Sequence, residues 1–551
     1  MTLLAIGCGG DGGAESSGGG LGTEGTFSST GSSSGRMTST GSGETGSVGE
    51  VGNDATTSTT SGGAPLFDVG TQPDLGTACT PGSPNCPEFC DPKFEAEEFV
   101  DPVLKCSWTT QATIITPVVA DLEGDGDIEI VSVDFAGALV ILEGSDCSEV
   151  FHGSSGTFGT RGQLAVADLD EDGDLEIIGT GTSGNYGNNT LRAVDHLGNT
   201  IAISAAASVS GSNFNDGGAA IANLDGVGLP EIAYGGMAVR LEGGSFTTLF
   251  NNPVGSGHWG IMTAVSDVDL DGVPELVVGN RIFDGETGAD ETPPGIASVP
   301  AGYVAIGDFD TATPEPEVVL ISSQSGSPSE IRIYHPITGN LVLGPINFGT
   351  QWGGPPTVGD FDGDGEAEVA VAGFDAYHVF DLECLANPLP ADCEAAGIRW
   401  RQPSQDFSSG STGSTLFDFN GDGRVEVVYR DEQILRIYDG PTGQVLSQYP
   451  ISSGTILENP VVADVDLDGH AEIVVPGHGG TPGIFVLEDP RDLWVEARSL
   501  WNQHTYHVTN ISEDGTVPAN ETRNWDSWNN FRQNVGPNPE GGAPCIPMPE
   551  G

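Results

Sequence analysis

The stretch Asp360-Phe361-Asp362-Gly363-Asp364-Gly365-Glu366-Ala367-Glu368 lies between two apolar runs, Pro356-Thr357-Val358-Gly359 and Val369-Ala370-Val371-Ala372-Gly373. It sets carboxylates at positions 1, 3, 5 and 9 of a nonapeptide, with glycine at position 6. A hard divalent cation needs that arrangement. Calcium takes about six to eight oxygens at ~2.3–2.6 Å, and a short loop turns alternate side chains inward only where glycine relieves the backbone. The pattern returns seven more times, opening at Asp121, Asp168, Asn223, Asp267, Asp308, Asp418 and Asp464. Successive openings are 41 to 58 residues apart. The chain is therefore an array of one unit of about 50 residues, a period that belongs to solenoids and propellers.

Every unit reads alike. One short strand leads into the acidic loop (Pro117-Val-Val-Ala120) and a second leaves it (Ile128-Glu-Ile-Val-Ser-Val133). A third follows (Ala138-Leu-Val-Ile-Leu142), then a Gly or Asp turn and a ragged fourth (Glu149-Val-Phe151). The runs are Val/Ile-rich and closed by Gly, Asn and Asp, which is the signature of strands, and no segment holds a helical apolar period. The expected fold is all-β: a closed β-propeller of four-stranded blades, which leaves only short, protected edges. Eight blades are expected. Seven is the alternative, with one degenerate unit serving as an insertion.

The motif Val-Ala-Asp-x-Asp-x-Asp-Gly-x-x-Glu-Ile-Val resembles the FG-GAP or VCBS repeat and is similar to the calcium loops of integrin α-subunit propellers. The resemblance covers roughly residues 110–490 and recurs in register with its flanking strands. It implies that each loop is a hairpin connection within a blade, stiffened by calcium. It also implies export, since many bacterial members are secreted or surface-attached and some such propellers are polysaccharide lyases. Carried over position by position, the complete loops begin with Asp121, Glu123, Asp125 and Glu129, and continue with Asp168, Asp170, Asp172 and Glu176. The fourth unit offers Asp267, Asp269, Asp271 and Glu275; the sixth is the stretch quoted above. The seventh offers Asp418, Asn420, Asp422 and Glu426, and the eighth Asp464, Asp466, Asp468 and Glu472. Position 7 is expected to give only its backbone carbonyl, so Asp127, Asp174, Val273, Glu366, Arg424 and His470 are all acceptable there. Family members often end the loop in Asp; Glu reaches further, which leaves bidentate binding open. Unit three has Val227 at position 5, and unit five has Ala312 there with one extra residue before Glu317. Both are expected to keep the hairpin and lose strong binding, giving about six calcium ions per chain.

The chain of 551 residues carries 79 acidic against 17 basic side chains, a formal charge of −62, with Lys93 and Lys105 its only lysines. That balance excludes nucleic acid and an anionic membrane surface as main partners. The six complete loops hold 27 of the acidic residues, so much of the charge reports metal sites. Nine cysteines divide into Cys8 and eight others without a CxxC pair, a set that reads as disulfides in an exported chain. Cys384 and Cys393, flanking a Pro-rich loop, are the expected local pair. The start, Met1-Thr-Leu-Leu-Ala-Ile-Gly7-Cys8, resembles the end of a bacterial lipoprotein signal, although it lacks a basic n-region and its apolar stretch is short. Residues 9–75 are Gly, Ser and Thr with scattered Glu, a flexible tether of roughly 45 Å root-mean-square span. The expected order is then a Cys/Pro-rich segment at 76–102, the propeller at 103–492, a Trp/Asn-rich cap at 493–535 and a Pro/Gly-rich tail at 536–551.

Trp494, Trp501, Trp525 and Trp528 are mixed with Asn502, Gln503, His504, His507, Asn524, Asn529 and Asn530. The segment reads either as a cap that packs on the last blade and closes the ring or as a sugar-binding face of flat aromatics and amides. The cap is preferred. His504-x-x-His507 is a weak metal pair, and Gly179-x-Gly181-x-x-Gly184 starts no helix and so lacks phosphate-binding geometry. No HExxH motif occurs. The expected function is a non-catalytic, calcium-stabilised, monomeric propeller at the cell exterior that binds a protein or a glycan, touching a membrane only through a lipid on Cys8. The alternative is an extracellular polysaccharide lyase or hydrolase on the same scaffold.

Overall fold

A computed structural model describes residues 93–183, 186–210, 216–323 and 328–536. Cys8, the tether, Cys79, Cys86, Cys90, Cys545 and the tail after Gly536 lie outside the described residues. The described chain forms eight four-stranded sheets, one per repeat, arranged as the blades of a propeller. Blade 1 is Val118–Ala120, Glu129–Val133, Leu139–Glu143 and Glu149–His152, each strand antiparallel to the next. Helix is confined to three-residue 3-10 turns such as Ala96–Glu98, and no described helix is long and apolar enough to cross a membrane.

Burial within a blade follows distance from the axis. The second strands are buried along their whole length, as in Glu317–Ser322 and Glu368–Ala372, because a neighbouring blade covers each face. The fourth strands alternate between exposed and half-buried, as in Ser245–Asn252, because the rim meets water on one side. The third and fourth strands are joined by tight turns of shared design. In Asp439–Gly443 the Gly443 amide donates to the Asp439 carbonyl at 2.8 Å, and Gly443 adopts φ +69°, which a side chain would strain. Gly288 and Asp284 repeat it. Blade 4 departs from the expected pattern. Its own strands are Gly260–Ser266, Glu275–Val278 and Arg281–Asp284, and the fourth is Asp216–Gly218, parallel on the inner side.

Eight sheets remove the seven-bladed alternative. The ring is closed by Val103–Trp108, which pairs antiparallel with Gly483–Glu488 and completes blade 8 as its outer strand. A disulfide from Cys106 to Cys147 ties that closing strand to blade 1, and the expected Cys384–Cys393 disulfide is present in blade 6. The C-terminal segment is a cap of another kind than the one expected. It does not close the ring; it fills the channel. An innermost strand is an open edge whose backbone groups need partners. In a first pass, Trp501 pairs with Val119 in both directions, Asn502 accepts from the Val166 amide and Gln503 from the Ile221 amide, and Thr505 donates to the Thr263 carbonyl. In a second pass, Phe531 pairs with Val358, Arg532 accepts from the Leu416 amide while its guanidinium reaches the Val304 carbonyl, and Asn534 donates to the Val462 carbonyl. Between them the two passes touch the inner strand of every blade.

Candidate metal centres and the capped face

The first strand of each blade lines the channel, ends just before position 1 of its acidic loop and hands over to the second strand at position 9. All eight loops share one internal fastening. The position-9 glutamate is buried, and its Oε2 accepts the backbone amide of position 2: Leu122 to Glu129 at 2.9 Å, Phe361 to Glu368 at 2.8 Å, Phe419 to Glu426 at 2.9 Å. The pairs Leu169–Glu176, Leu224–Glu231, Val268–Glu275, Phe309–Glu317 and Val465–Glu472 repeat it. One carboxylate oxygen thus accepts a bond from the loop itself, which leaves Oε1 outside that bond and available to an ion. The position-1 aspartate holds the glycine amide of position 6, as in Asp121–Gly126 and Asp360–Gly365, both at 2.9 Å, and that glycine has φ +94° in the first loop and +90° in the sixth. The position-5 carboxylate accepts the amide of position 7, as in Asp125–Asp127 and Asp468–His470, a bond that does not depend on the side chain at position 7.

What remains suits a cation. In the fourth loop Asp267 Oδ1 and Glu275 Oε1 are buried without a hydrogen-bond partner, as are Asp464 Oδ1 and Asp466 Oδ1 in the eighth. Such orphaned oxygens cost free energy unless a positive charge meets them. Ligand oxygens converge to within 4.8 Å of one another at Asp168, Asp170 and Glu176, at Asp267, Asp269 and Asp271, and at Asp360, Asp362 and Glu368. Glu291, unmarked by the nonapeptide, joins Asp269 and Glu275 in a further convergence. Burial pushes Glu129 and Glu176 up to about 7 and Glu275 up to about 9, with neighbouring carboxylates adding to the effect. These donors are hard oxygens at calcium-like spacing, so the residues present fit calcium.

The two degraded loops differ from each other. In the third, Arg240 on Gly236–Glu242 stands directly across the strands from Glu231. Its guanidinium binds the Glu231 carboxylate and lies 2.6 Å from Asp225 Oδ2, so an internal cation fills the place of an ion. The fifth loop keeps Asp308, Asp310 and Glu317. The Phe309 amide reaches Glu317 across eight residues rather than seven, which fixes the extra residue read from the sequence. In the sixth loop Arg399 touches one ligand carboxylate, Asp362, while its other nitrogen holds Asp381 at 2.6 Å.

The tryptophans divide. Trp494 and Trp501 are buried, the first tilted against Phe419 and the second stacked on Tyr506, which makes them packing residues. Trp525 and Trp528 are half-buried and line clefts between the cap and the acidic loops. The cleft under Trp528, of about 430 Å³, is lined by Asp360, Asp364, Asp418, Val495, Trp528 and Gln533, with Gln533 Oε1 left unpaired. His507 Nε2 donates to the Glu521 carboxylate at 2.6 Å, and His504 receives the Arg532 guanidinium, so the two histidines do not converge on a metal.

An FG-GAP-like repeat model matches residues 418–475, which span the seventh loop, the three later strands of its blade and the whole eighth loop. Fold and loops together define an eight-bladed β-propeller, in which residues 418–475 match the FG-GAP-like repeat. Among solved structures, the chain is similar to the V. cholerae biofilm matrix protein Bap1. The two are 19% identical with a TM-score of 0.64, covering 81% of this chain and 100% of that one. It is also similar to a Bacillus licheniformis rhamnogalacturonan lyase, at 18% identity and a TM-score of 0.47 over 71% of this chain and 75% of that one. These likenesses describe the fold. No curated protein matches the chain.

Proposed function

We propose that the chain is an exported, non-catalytic propeller stabilised by calcium, which binds an uncharged, hydroxyl-rich glycan in the cleft beneath Trp528. The observation that carries the metal reading is the fastening common to all eight loops, which spends one oxygen of each position-9 glutamate and leaves the other for an ion. Calcium falls to the complete loops of blades 1, 2, 4, 6 and 7. Val227 and Arg240 keep it from the third, and Ala312 weakens the fifth. Asp364→Ala is expected to remove one ion by elemental analysis, whereas Val227→Ala leaves the count unchanged. Two disulfides among the described residues agree with an oxidising compartment. Anchoring through Cys8 belongs to the same proposal.

The cleft suits a neutral sugar because a flat half-buried indole lies beside an amide and carboxylate oxygens that take hydroxyl hydrogens. The test is a glycan array followed by Trp528→Ala. Loss of a central aromatic contact costs about 2 kcal/mol, so affinity is expected to fall roughly thirtyfold with melting unchanged. Reproducible growth of 235 nm absorbance on a polysaccharide panel would instead establish the lyase.

A further inference from the structure

The eighth loop has a full set of ligand positions, yet its centre is already occupied by a side chain. Lys105 stands on Val103–Trp108, the strand that closes the ring. Its Nζ lies 2.6 Å from Asp466, 3.5 Å from Asp468 and 3.2 Å from Glu472 Oε1, which are ligand positions 3, 5 and 9. A fourth carboxylate, Glu488, is 3.1 Å away. Glu472 Oε2 is held by the Val465 amide, so the amine has taken the oxygen that an ion would need. The contact is long-range in the chain, 361 residues to Asp466, and joins the first strand of the propeller to its last blade. Arg240 plays the corresponding part in blade 3 from within its own blade.

We propose that Lys105 is the resident cation of the eighth loop, so that this blade takes no calcium and the ring is latched by an internal ammonium. The ion count rests on the calcium reading, whereas the latch does not. A metal-dependent closing strand would open whenever calcium fell; an ammonium supplied by the closing strand itself keeps closure independent of the ion. A lysine suits the role because its compact charge has three donors to share among several carboxylates.

The test compares the wild-type chain with Lys105→Met, which keeps the stem and removes the charge. After dialysis against calcium, elemental analysis is expected to find one more ion in Lys105→Met than in the wild type, with Lys105→Arg matching the wild type. In chelator, amide exchange across residues 103–108 is expected to rise at least tenfold in Lys105→Met and to return toward wild type when calcium is restored. Equal ion counts in wild type and Lys105→Met, or unchanged exchange of the closing strand, would overturn the proposal. If neither protein binds calcium, the calcium reading fails by itself, and the exchange of residues 103–108 still decides the latch.

Discussion

Excess chelator is expected to loosen or unfold the propeller at room temperature, and to do so more severely at pH 8 than at pH 5. An ion bound only by the folded form adds about 2.7 kcal/mol per site at a hundredfold excess over Kd. Four such sites supply about 11 kcal/mol, comparable with the whole net stability of an ordinary domain. The pH dependence follows from the buried glutamates. Without an ion, Glu129 and Glu176 are pushed up to about 7 and Glu275 up to about 9, against an ordinary value of 4.5. Below pH 4.5 both folded and unfolded forms hold the proton and nothing is lost. As pH rises, the unfolded chain releases protons first, so stability falls through the interval from 4.5 to about 7, and to about 9 for Glu275. With calcium bound the trend reverses, because protons compete with the ion for the same oxygens. Thermal melts at the two pH values, with and without chelator, check both signs. Unchanged melting in chelator would defeat the metal reading.

Removal of residues 494–536 is expected to prevent folding altogether. The deletion takes away Trp494 and Trp501, both fully buried, whose burial alone contributes about 3–6 kcal/mol. It also strips the partners of the inner strands: Val119, Val166 and Ile221 in blades 1 to 3, Val358 and Leu416 in blades 6 and 7. Each lost backbone bond costs about 0.5–1.5 kcal/mol even where water enters the channel. The milder Arg532→Met leaves the Val304 and Pro356 carbonyls without their donor and is expected to lower the melting temperature while preserving the fold. Circular dichroism and limited proteolysis of the two proteins measure this. A truncated chain that melts like the full one would show the segment to be peripheral.

The loops and blades were legible because their rules are local. Nine residues carry the ligand spacing, and the flanking Val/Ile runs mark the strands without reference to anything distant. The internal cations were hidden because they arrive through register. Arg240 is nine residues beyond Glu231 and meets it only because the two strands pair Glu231 with Arg240. The signal was nonetheless in the sequence. The residue facing the position-9 glutamate is Glu143 in blade 1 and Asp284 in blade 4, but arginine in blade 3. Acid opposite glutamate asks for an ion, and a base opposite it supplies one. Lys105 carried no such signal, since its loop lies at the other end of the chain. The cap was read as packing on one blade because amides such as Gln503 and Asn534 say nothing about which strand edge they will serve.

The two passes of the C-terminal segment also set the order in which the molecule is completed. Val119 waits for Trp501, and Val103–Trp108 waits for Gly483–Glu488, so the earliest strands to emerge are finished by the latest. Loop-closure entropy grows only slowly with length, so this wiring costs little at equilibrium. Its burden is kinetic, because pairings so distant in sequence fold slowly and leave strand edges open in the meantime. A nascent chain has no finished ring to commit to until its last fifty or so residues are free. The inner strands are therefore fully paired only once residues 501–534 have docked against them.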